Sequence, residues 1–410
     1  MENAFILLGG NILNSGIAHY CKKNQYPLIV VDWSPSAHLK GDLFLCIDVK
    51  DTNTIIQALN DNHIENIAGA FSSIDLAVPS VNRINKYYGL CSMNQVALKN
   101  AHSKAEMTRV WQDHGLLNRF SKQYITYDKE IYDIARIEKI IIKPNVSSSS
   151  RGITIVDKCI QEEEVMEAFK KAQDESFDHT VIVEEFVDGQ EFTCEMLGDN
   201  HGNVSVYAIS VKYHTKNTEK NKIAVKLHYN SEIYPNSVYE KIATVGKKCF
   251  QALGFYASFG HLEIIMKKDG SLTPIEIGAR SSGFITNPLV SEASEKDYLG
   301  DYLDVLHGGK ITGDNYINGE QSSMYFFYDM PSNTSCRRPC TLTDFLPTEI
   351  KSLYFNREKI LHKGYAYHNI NNDNERIGYE ILSGPRRALT ITAIQNAEDN
   401  FIHLNTNGIL

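Results

Sequence analysis

Short apolar runs alternate with helix-like stretches over the first hundred residues of the chain. Residues 4–8 (AFILL) and the run PLIVVD, which ends at Asp32, are separated by a helical pattern at about 12–23. Apolar runs of this length on either side of a helix are typical of parallel strands that are buried on both faces. The same order returns with a helix near 52–62 and the run NIAGAFS. The pattern predicts an α/β domain over residues 1–100.

The pattern changes after about residue 100, where short strand-like segments follow one another in close pairs. KIIIKP is followed by GITIV, and TVIVEEFV is followed by EFTCEML. Strands in close succession predict antiparallel sheets in an α+β region, which we place at 101–312. Residues 313–410 mix strands with turn clusters such as NINNDNE, which predicts a small C-terminal α+β domain.

The composition argues against several classes of function. The 410 residues carry a net charge of −9, which argues against a nucleic-acid binder and against a basic membrane-surface protein. The N-terminus lacks the basic segment of a signal peptide, and no apolar window approaches the roughly 18 residues that cross a bilayer. The eight cysteines are dispersed along the chain, as is typical of reduced thiols. We therefore expect a cytoplasmic protein that binds neither nucleic acid nor membranes.

The segment FGHLEIIMKKDGSLTPIEIGARSSG predicts a hairpin. Asp269-Gly270 is a strong signal for a two-residue type I′ turn. A turn at these two residues places Pro274 opposite Ile265 in a pair that does not hydrogen-bond, where proline's missing N–H costs nothing.

The same register places Glu263 directly opposite Glu276 on one face of the hairpin. Two opposed like charges destabilise a sheet unless a shared proton or a cation neutralises them. Hard oxygen ligands, with no Cys or His set nearby, favour Mg²⁺ bound jointly with phosphates. The alternative is a solvated strand face that carries two acids by chance.

Arg280 follows Glu276 by four residues, just beyond the predicted strand end. A planar cation beside a metal site suits a transferring phosphoryl group or a carboxylate. The alternative is a surface arginine in a loop.

KIIIKPNVSSSSRGITIV places Lys143 at a strand end and then a loop of serines with Arg151 and Gly152. Such a loop offers several backbone N–H groups and hydroxyls to one anion, and glycine allows close approach. The segment is not a Walker A loop, because G-x-x-x-x-G-K-[ST] is absent. A flexible hairpin loop and a lysine that extends to water remain as alternatives.

TVIVEEFVDGQEFTCEML places Glu184, Glu185 and Glu191 around an Asp-Gly turn. The backbone of a strand edge can pair with a purine, and an acid one hairpin away can accept ribose hydroxyls. By itself the segment also fits a simple amphipathic hairpin.

Taken in order, SK, IIIKP with SSSSRG, VEEFVDGQE, HLE and EIGARSSG resemble the motifs of the ATP-grasp superfamily. The resemblance covers roughly residues 1–310. It implies an α/β N-terminal domain followed by two α+β ATP-grasp subdomains, whose antiparallel sheets hold ATP between them. The small C-terminal α+β domain follows these.

The resemblance also implies roles for individual residues in nucleotide binding. Two lysines would contact the phosphates, a loop would close over them, a strand end would frame the adenine, and an acid would bind the ribose. In that order these are Lys104 and Lys143; Ser147, Ser148, Ser149, Ser150, Arg151 and Gly152; Glu184, Glu185, Phe186 and Val187; and Glu191.

For the chemistry, the resemblance implies that Glu263 and Glu276 hold two Mg²⁺, for which Mn²⁺ can substitute. Arg280 would stabilise the acyl phosphate, so Arg280 and Lys143 are the expected catalytic residues. Many members have Asn where this chain has Gly278, which puts the number of metals in question. The expected substrate contacts are Arg280, Ser282, Gly283 and His228.

The E-x-x-A-R-x-x-G run is most similar to L-amino-acid ligases, which form peptide bonds. The resemblance therefore implies an ATP-dependent carboxylate–amine ligase that uses small-molecule acids and amines through an acyl phosphate. The alternatives are another ATP-grasp branch, either carboxylase-like or of nucleotide biosynthesis, and a non-catalytic nucleotide-binding protein. Homodimers are common among similar proteins.

Overall fold

The computed structural model describes the chain at residues 1–147, 151–158, 161–215, 223–282, 286–314, 316–317, 319–330, 334–336, 340–356, 364–368, 370 and 375–406. None of the helices in these segments has both the length and the apolarity needed to cross a membrane.

The N-terminal domain is a parallel sheet with helices, as the apolar runs predict. Its elements are β1 (Ala4–Leu8), α1 (Ser15–Lys23), β2 (Leu28–Asp32), β3 (Leu43–Cys46), α2 (Thr52–Asp61), β4 (Ile67–Ser72) and α3 (Val78–Tyr87). The strand order is β3-β2-β1-β4, and every pairing is parallel. Ile55, Leu59 and Ile84 pack on one face, and Tyr302 and Leu303 pack on the other. Burial on both faces explains the continuous apolar runs.

A small antiparallel sheet follows, together with the helices that flank it. Its elements are α4 (Gln95–His102), α5 (Lys104–Asp113), β5 (Ser121–Tyr124), α6 (Lys129–Ala135), β6 (Ile140–Pro144), β7 (Thr154–Val156), α7 (Glu162–Asp174) and β8 (Val181–Glu185). The strand order is β5-β8-β6-β7. Ile131 of α6 and Phe169 of α7 cover one face, where they pack on Ile140 and Ile142. The other face is left for polar side chains.

A large antiparallel sheet of eight strands forms the rest of the fold. Its elements are β9 (Gln190–Gly198), β10 (Val204–His214), β11 (Ala224–Tyr229), α8 (Asn236–Ala252), β12 (Ser258–Met266), β13 (Leu272–Gly278), α9 (Thr286–Ser294), α10 (Tyr298–Leu306), β14 (Gln321–Tyr328), β15 (Lys351–Asn356), β16 (Ile377–Pro385) and α11 (Ile391–Thr406). The strand order is β13-β12-β9-β10-β11-β14-β16-β15. Ile242 and Phe250 of α8 pack with Leu262, Ile264 and Ile277. The intervening positions of β12 and β13 therefore point away from this core.

The C-terminal strands β14, β16 and β15 extend the large sheet rather than forming a sheet of their own. Strand β14 pairs with β11, so the sheet runs across the predicted division between 101–312 and 313–410. That division remains a prediction, and the prediction of antiparallel sheets in an α+β arrangement is confirmed.

Strands β8 and β9 do not form the hairpin that the sequence predicts. Strand β8 belongs to the small sheet and β9 to the large one, and the Asp188-Gly189 segment joins the two sheets instead of turning a hairpin. A Cβ atom at Gly189 would lie 2.2 Å from the main-chain oxygen of Met266. Glycine is required here because the chain passes directly over β12.

The β12–β13 hairpin pairs Glu263 with Glu276, which confirms the predicted opposition of these two acids. The register nearer the turn is different from the prediction. Pro274 lies opposite Ile264, where a two-residue turn would have placed it opposite Ile265.

The prediction of a two-residue turn at Asp269-Gly270 was wrong, because the loop is one residue longer. The Lys267 N–H donates to the Ser271 carbonyl at 2.9 Å, and Gly270 takes the positive φ of +79° that closes three-residue loops. Strand β13 carries an extra residue, Ile275, between its pairs with β12. This β-bulge shifts the register back by one residue and restores the predicted pair of acids.

Candidate active site

Four parts of the chain line a cleft with an empty volume of about 450 Å³. They are the 3₁₀ turn at 75–77, the region of helices α4 and α5, the segment after β6, and the end of β13. The polar side chains among the lining residues are Asp75, His102, Lys104, Ser147 and Glu276. The cleft therefore joins the N-terminal domain to both antiparallel sheets.

Helix α5 bridges the two sheets through its first two turns. The hydroxyl of Ser103 caps the helix by accepting the Glu106 N–H at 3.3 Å, which fixes Lys104 at the first helical position. The Lys104 ammonium lies 3.4 Å from Glu276 of the large sheet and donates to the Ser147 carbonyl at 3.0 Å. Lys104 thus connects the predicted metal site with the start of the predicted phosphate loop.

Glu263 is held by cations in the protein itself. Lys212 of β10 donates to Glu263 at 2.9 Å and to Glu191 at 2.5 Å, and His261 Nε2 lies 3.8 Å from the Glu263 carboxylate. Burial opposes ionisation, but Lys212 and His261 hold the pKa of Glu263 well below its usual value. His214 adds a contact to Glu191 at 3.0 Å. Both acids are therefore ionised and oriented at neutral pH.

A fully buried acid, Glu195, supports this cluster from the centre of the large sheet. One of its oxygens accepts hydrogen bonds from His261 Nδ1 at 2.8 Å, Tyr229 at 2.9 Å and Thr193 at 3.2 Å. Burial would lower the pKa of His261, but Glu195 outweighs it and the pKa rises to about 9. An imidazolium therefore stands next to Glu263.

The small sheet carries a buried ion-pair triad. Glu184 is fully buried, and its carboxylate lies 2.6 Å from the Lys143 ammonium and 3.0 Å from the Arg119 guanidinium. Ser121 donates to the other carboxylate oxygen at 3.1 Å, and Thr108 of α5 does so at 3.4 Å. Burial would raise the pKa of Glu184, but Lys143 and Arg119 hold it below its usual value. The Glu184 side chain thus fixes Lys143 in place.

The segment after β8 is tied to the small sheet by its backbone. The Glu185 N–H donates to the Phe120 carbonyl at 3.1 Å and the Phe186 N–H to the Lys139 carbonyl at 3.0 Å. The Lys139 ammonium also lies 4.7 Å from the centre of the Phe186 ring, and Val187 is buried. These contacts hold the start of the connection between the two sheets against the small sheet.

The predicted phosphate loop is described at its two ends. Ser148, Ser149 and Ser150 lie outside the described residues. Gly152 has a φ of +70°, and a Cβ atom there would lie within 3 Å of Glu175 and Pro144. Glycine is therefore needed where the loop returns to β7. The Arg151 guanidinium approaches Glu175 to 4.0 Å.

Arg280 forms a bidentate ion pair with Asp75 of the N-terminal domain. Its Nε and Nη2 donate to the two Asp75 oxygens at 2.6 and 2.7 Å, and Nη1 donates to the Ser281 carbonyl at 2.9 Å. Asp75 and Gly278 line the cleft beside Glu276. A Cβ atom at Gly278 would lie 3.3 Å from both Arg280 and Asp75, so the absence of a side chain at 278 leaves room for this pair.

A family model described as an ATP-grasp domain matches residues 137–288, which include strands β6 to β13. The chain contains an ATP-grasp domain. The two antiparallel sheets with a cleft between them are the sheets that the resemblance in the sequence implies.

The ATP-grasp domain is similar to parts of curated relatives and to whole solved structures. Over 222 residues the chain is 26% identical to a D-alanine–D-alanine ligase from Cupriavidus metallidurans, covering 50% of this chain and 63% of that protein. The matched segment thus spans less than two thirds of this relative. An L-amino acid ligase from Bacillus licheniformis matches with a TM-score of 0.75 at 14% identity, covering 97% of this chain and 96% of that one.

A phosphoribosylglycinamide synthetase from Anaerococcus prevotii matches with a TM-score of 0.69 at 17% identity. This alignment covers 99% of this chain and 98% of that one. At such low identities, the two structural matches show a shared fold over nearly the whole chain.

Of the predicted substrate contacts, His228 is not brought to the ATP-grasp cleft. His228 pairs with Val211, which packs in the core behind the sheet, and it is fully buried beside Ser322. It therefore lies on the face opposite to Glu263. Gly283 lies outside the described residues, and Ser282 is buried next to Arg280.

Several titratable residues in or behind the ATP-grasp cleft were not predicted from the sequence. They are Asp75, His102, Arg119, Glu195 and Lys212, whose positions are decided by contacts with distant segments. A partial signal existed only for Lys212, since the pattern AISVKYH alternates and places a lysine within an otherwise apolar strand.

The residues present fit the Mg²⁺ that an ATP-grasp domain implies. Glu263 and Glu276 are opposed across β12 and β13, and their side chains are 23% and 34% exposed. Within the described part of the chain, no group of three or more His, Cys, Asp or Glu side chains could hold a metal ion. A donor set of two carboxylates suits Mg²⁺, which takes one or two protein carboxylates and completes its shell with phosphates and water.

Proposed function

We propose that the protein is an ATP-dependent ligase that activates a carboxylic acid as an acyl phosphate and transfers the acyl group to an amine. The observation that supports this most is that Lys104, Glu276 and Asp75 line one cleft between the sheets, and that Asp75 is paired with Arg280. Cations and carboxylates from three parts of the chain meet there, as charge neutralisation in phosphoryl transfer requires.

In this proposal ATP lies between the small sheet and the large sheet. Lys104 and Lys143 neutralise its phosphates, and the 147–152 loop covers them. The segment Glu184–Val187 frames the adenine through its backbone, and Glu191 accepts the ribose hydroxyls. Lys212 stands between Glu191 and Glu263, so its ammonium can also reach a phosphate oxygen when nucleotide binds.

Glu263 and Glu276 would hold Mg²⁺ together with the phosphates. Bound there, the ion neutralises charge on the transferring phosphoryl group. His261 and Glu195 keep Glu263 ionised and oriented, since the ring nitrogens of His261 face one acid each.

The reaction needs positioning more than covalent catalysis by the protein. An oxygen of the acid attacks the γ-phosphorus of ATP, and the bond to ADP breaks. The amine nitrogen then attacks the acyl carbon, the bond to phosphate breaks, and the amine loses a proton to solvent. Arg280 stabilises the negative charge of the acyl phosphate and of the tetrahedral intermediate.

An amino acid is the acid substrate that we propose. The support is the similarity of the whole fold to the L-amino acid ligase from Bacillus licheniformis and the run from Glu276 to Gly283 in the sequence. A homodimer is the proposed assembly, by analogy with similar proteins.

A screen of acid and amine pairs tests the proposed function. Phosphate release is measured with ATP and Mg²⁺ for pairs of amino acids, and any product is identified by mass spectrometry. We expect release that requires both an acid and an amine, and no release in the Glu276→Gln variant. Phosphate release without any amine would contradict the ligase reaction.

The second candidate is an ATP-grasp enzyme of another branch, favoured by the fold similarity to the phosphoribosylglycinamide synthetase. Bicarbonate and phosphoribosylamine separate the two candidates. ADP formation that requires bicarbonate, or that requires phosphoribosylamine as the amine together with glycine as the acid, with no response to other pairs of amino acids, would favour the second candidate.

A further inference from the structure

Arg280 itself lines a second, narrow cleft. The aromatic rings of Phe71, Phe259 and Tyr302 form one wall, and Val78 and Val81 of α3 form another. The ring centres of Phe259 and Tyr302 are 4.4 Å apart, and those of Phe71 and Phe259 are 5.8 Å apart. Because the rings pack on one another, the wall is rigid and apolar.

The polar groups in this second cleft are already paired with the protein. The side chains of Ser72, Asn82, Ser258 and Tyr302 each donate to a main-chain carbonyl, at distances between 2.7 and 3.0 Å. A polar ligand group would find no free partner among them and would lose its bonds to water. The cleft therefore favours an apolar group.

The Asp75–Arg280 ion pair separates the two clefts. Asp75 lines the first cleft, beside Glu276, and Arg280 lines the second. The two Asp75 oxygens meet the guanidinium in the bidentate geometry that a free carboxylate also adopts. A carboxylate ligand can therefore replace Asp75 on Arg280 without any other change in the hydrogen bonds of the guanidinium.

We propose that the second cleft binds the acid substrate, with an aliphatic side chain against the aromatic wall and its carboxylate on Arg280 in place of Asp75. This inference rests on the proposed function and adds the class of acid, an aliphatic one. It also makes Asp75 an internal competitor that occupies Arg280 until the acid arrives.

The class of acid is tested with two amino acids of the same shape. L-valine and L-threonine differ by one methyl group in place of a hydroxyl, and each is supplied to the wild-type protein as the acid with a fixed amine. We expect the KM of threonine to exceed that of valine by about 10- to 100-fold, because its hydroxyl finds no partner in the cleft. Equal KM values, or a lower KM for threonine, would overturn the assignment.

The place of the aliphatic group is tested by filling the cleft. The Val81→Ile variant adds one methylene to its wall, and Val96→Ile makes the same change on the exposed side of α4. In Val81→Ile we expect the KM of valine to rise about tenfold while the KM of ATP stays the same. A valine KM that is unchanged in Val81→Ile would place the side chain elsewhere.

The role of Asp75 is tested by removing its charge. In Asp75→Asn we expect the KM of the acid to fall about tenfold with little change in kcat, because the competing carboxylate is lost. Asp113→Asn, which disturbs the surface pair with Arg109, is the matched control and should leave both constants unchanged. A higher KM together with a lower kcat in Asp75→Asn would show that Asp75 instead positions Arg280 for the reaction.

A direct binding measurement separates a failure of this inference from a failure of the proposed function. If the wild type forms no ADP with any acid and amine, the ligase proposal fails. Calorimetry of L-valine binding to the wild type and to Asp75→Asn then tests whether the second cleft binds an aliphatic acid. Tighter binding to the variant supports the inference, and no binding to either protein overturns it.

Discussion

The two walls of the ATP-grasp cleft carry charge in different ways. On the small sheet, Arg119, Lys143 and Glu184 form a triad whose side chains are at most 4% exposed. On the large sheet, Glu263 and Glu276 are 23% and 34% exposed. The first cluster is closed to solvent, and the second is open to an incoming ion or phosphate.

The difference in burial predicts different roles for the two groups of charges. A fully buried ion pair is costly to break, because removal of one partner leaves a charge without compensation in a medium of low polarity. A partly exposed carboxylate can exchange one cation for another at small cost, since water solvates its charge during the exchange. We therefore expect the loss of the Glu184 charge on the small sheet to reduce stability, and substitutions of Glu263 and Glu276 on the large sheet to reduce activity.

The largest expected effect is on the open wall. Glu276→Gln should abolish Mg²⁺-dependent ADP formation, a loss of about 1000-fold or more, while the thermal unfolding midpoint changes little because the side chain is partly exposed. ADP formation and thermal unfolding are measured on the same preparation. Glu167→Gln, on the exposed face of α7, serves as control. Full turnover by Glu276→Gln would remove this residue from the site.

A substitution in the buried triad of the small sheet should instead reduce the stability of the protein. Glu184→Gln leaves Lys143 and Arg119 buried without their counter-charge, and we expect the free energy of unfolding to fall by about 3–5 kcal/mol. Urea unfolding followed by circular dichroism measures this change. Glu130→Gln breaks the exposed pair with Lys122 and should leave stability nearly unchanged. Equal stability of the two variants would mean that the triad is not a structural unit.

Arg280 connects the open wall with the N-terminal domain, and it should act on turnover more than on nucleotide binding. In Arg280→Ala we expect kcat to fall about 100-fold with little change in the KM of ATP. Arg280→Lys should recover only part of this loss, because an ammonium cannot make the bidentate contact. An equal loss of kcat and of ATP affinity in Arg280→Ala would mean that this side chain only binds nucleotide.

The smallest expected effect concerns His228, which lies on the face of the large sheet opposite to Glu263. Burial, assisted by Lys226, lowers the pKa of His228 from 6.5 to about 3. Between these two pH values the unfolded chain binds a proton that the folded protein does not. This group therefore makes the free energy of unfolding fall as pH drops below about 6.5, by at most about 1.4 kcal/mol per pH unit.

Urea unfolding at pH 7 and pH 5 checks this prediction for His228. The His228→Asn variant should lose less stability than the wild type over this range, and the exposed His38→Asn should behave as the wild type does. A change in the KM of the acid in His228→Asn, without a change in stability, would instead support the substrate contact that the sequence analysis expected.

Local patterns were enough to predict many of the strands, the antiparallel sheets and the opposed pair Glu263 and Glu276. The apolar runs at 4–8 and 28–32 are strands because a parallel sheet buries both faces. The pairing of the two acids was right although the turn was wrong, because the longer loop and the bulge at Ile275 cancel each other. Alternation along a strand fixes which face a residue takes more firmly than turn chemistry fixes the register.

The partners of the charged residues could not be predicted. Asp75 meets Arg280 across 205 positions of the chain, and Arg119 meets Glu184 inside the small sheet. The sequence also does not show that β8 and β9 belong to different sheets, because a chain that crosses a cleft and a chain that turns a hairpin use the same Asp-Gly signal.

The sequence by itself determined where many of the strands lie, that those of the N-terminal domain are buried on both faces, and that acids, lysines and an arginine follow one another in the order of an ATP-grasp domain. Only the tertiary structure decided which charged side chains are buried in fixed ion pairs and which are exposed enough to exchange one cation for another. The physical reason is that burial and ion pairing depend on atoms brought together from distant segments, and the chain carries no periodic signal for such contacts.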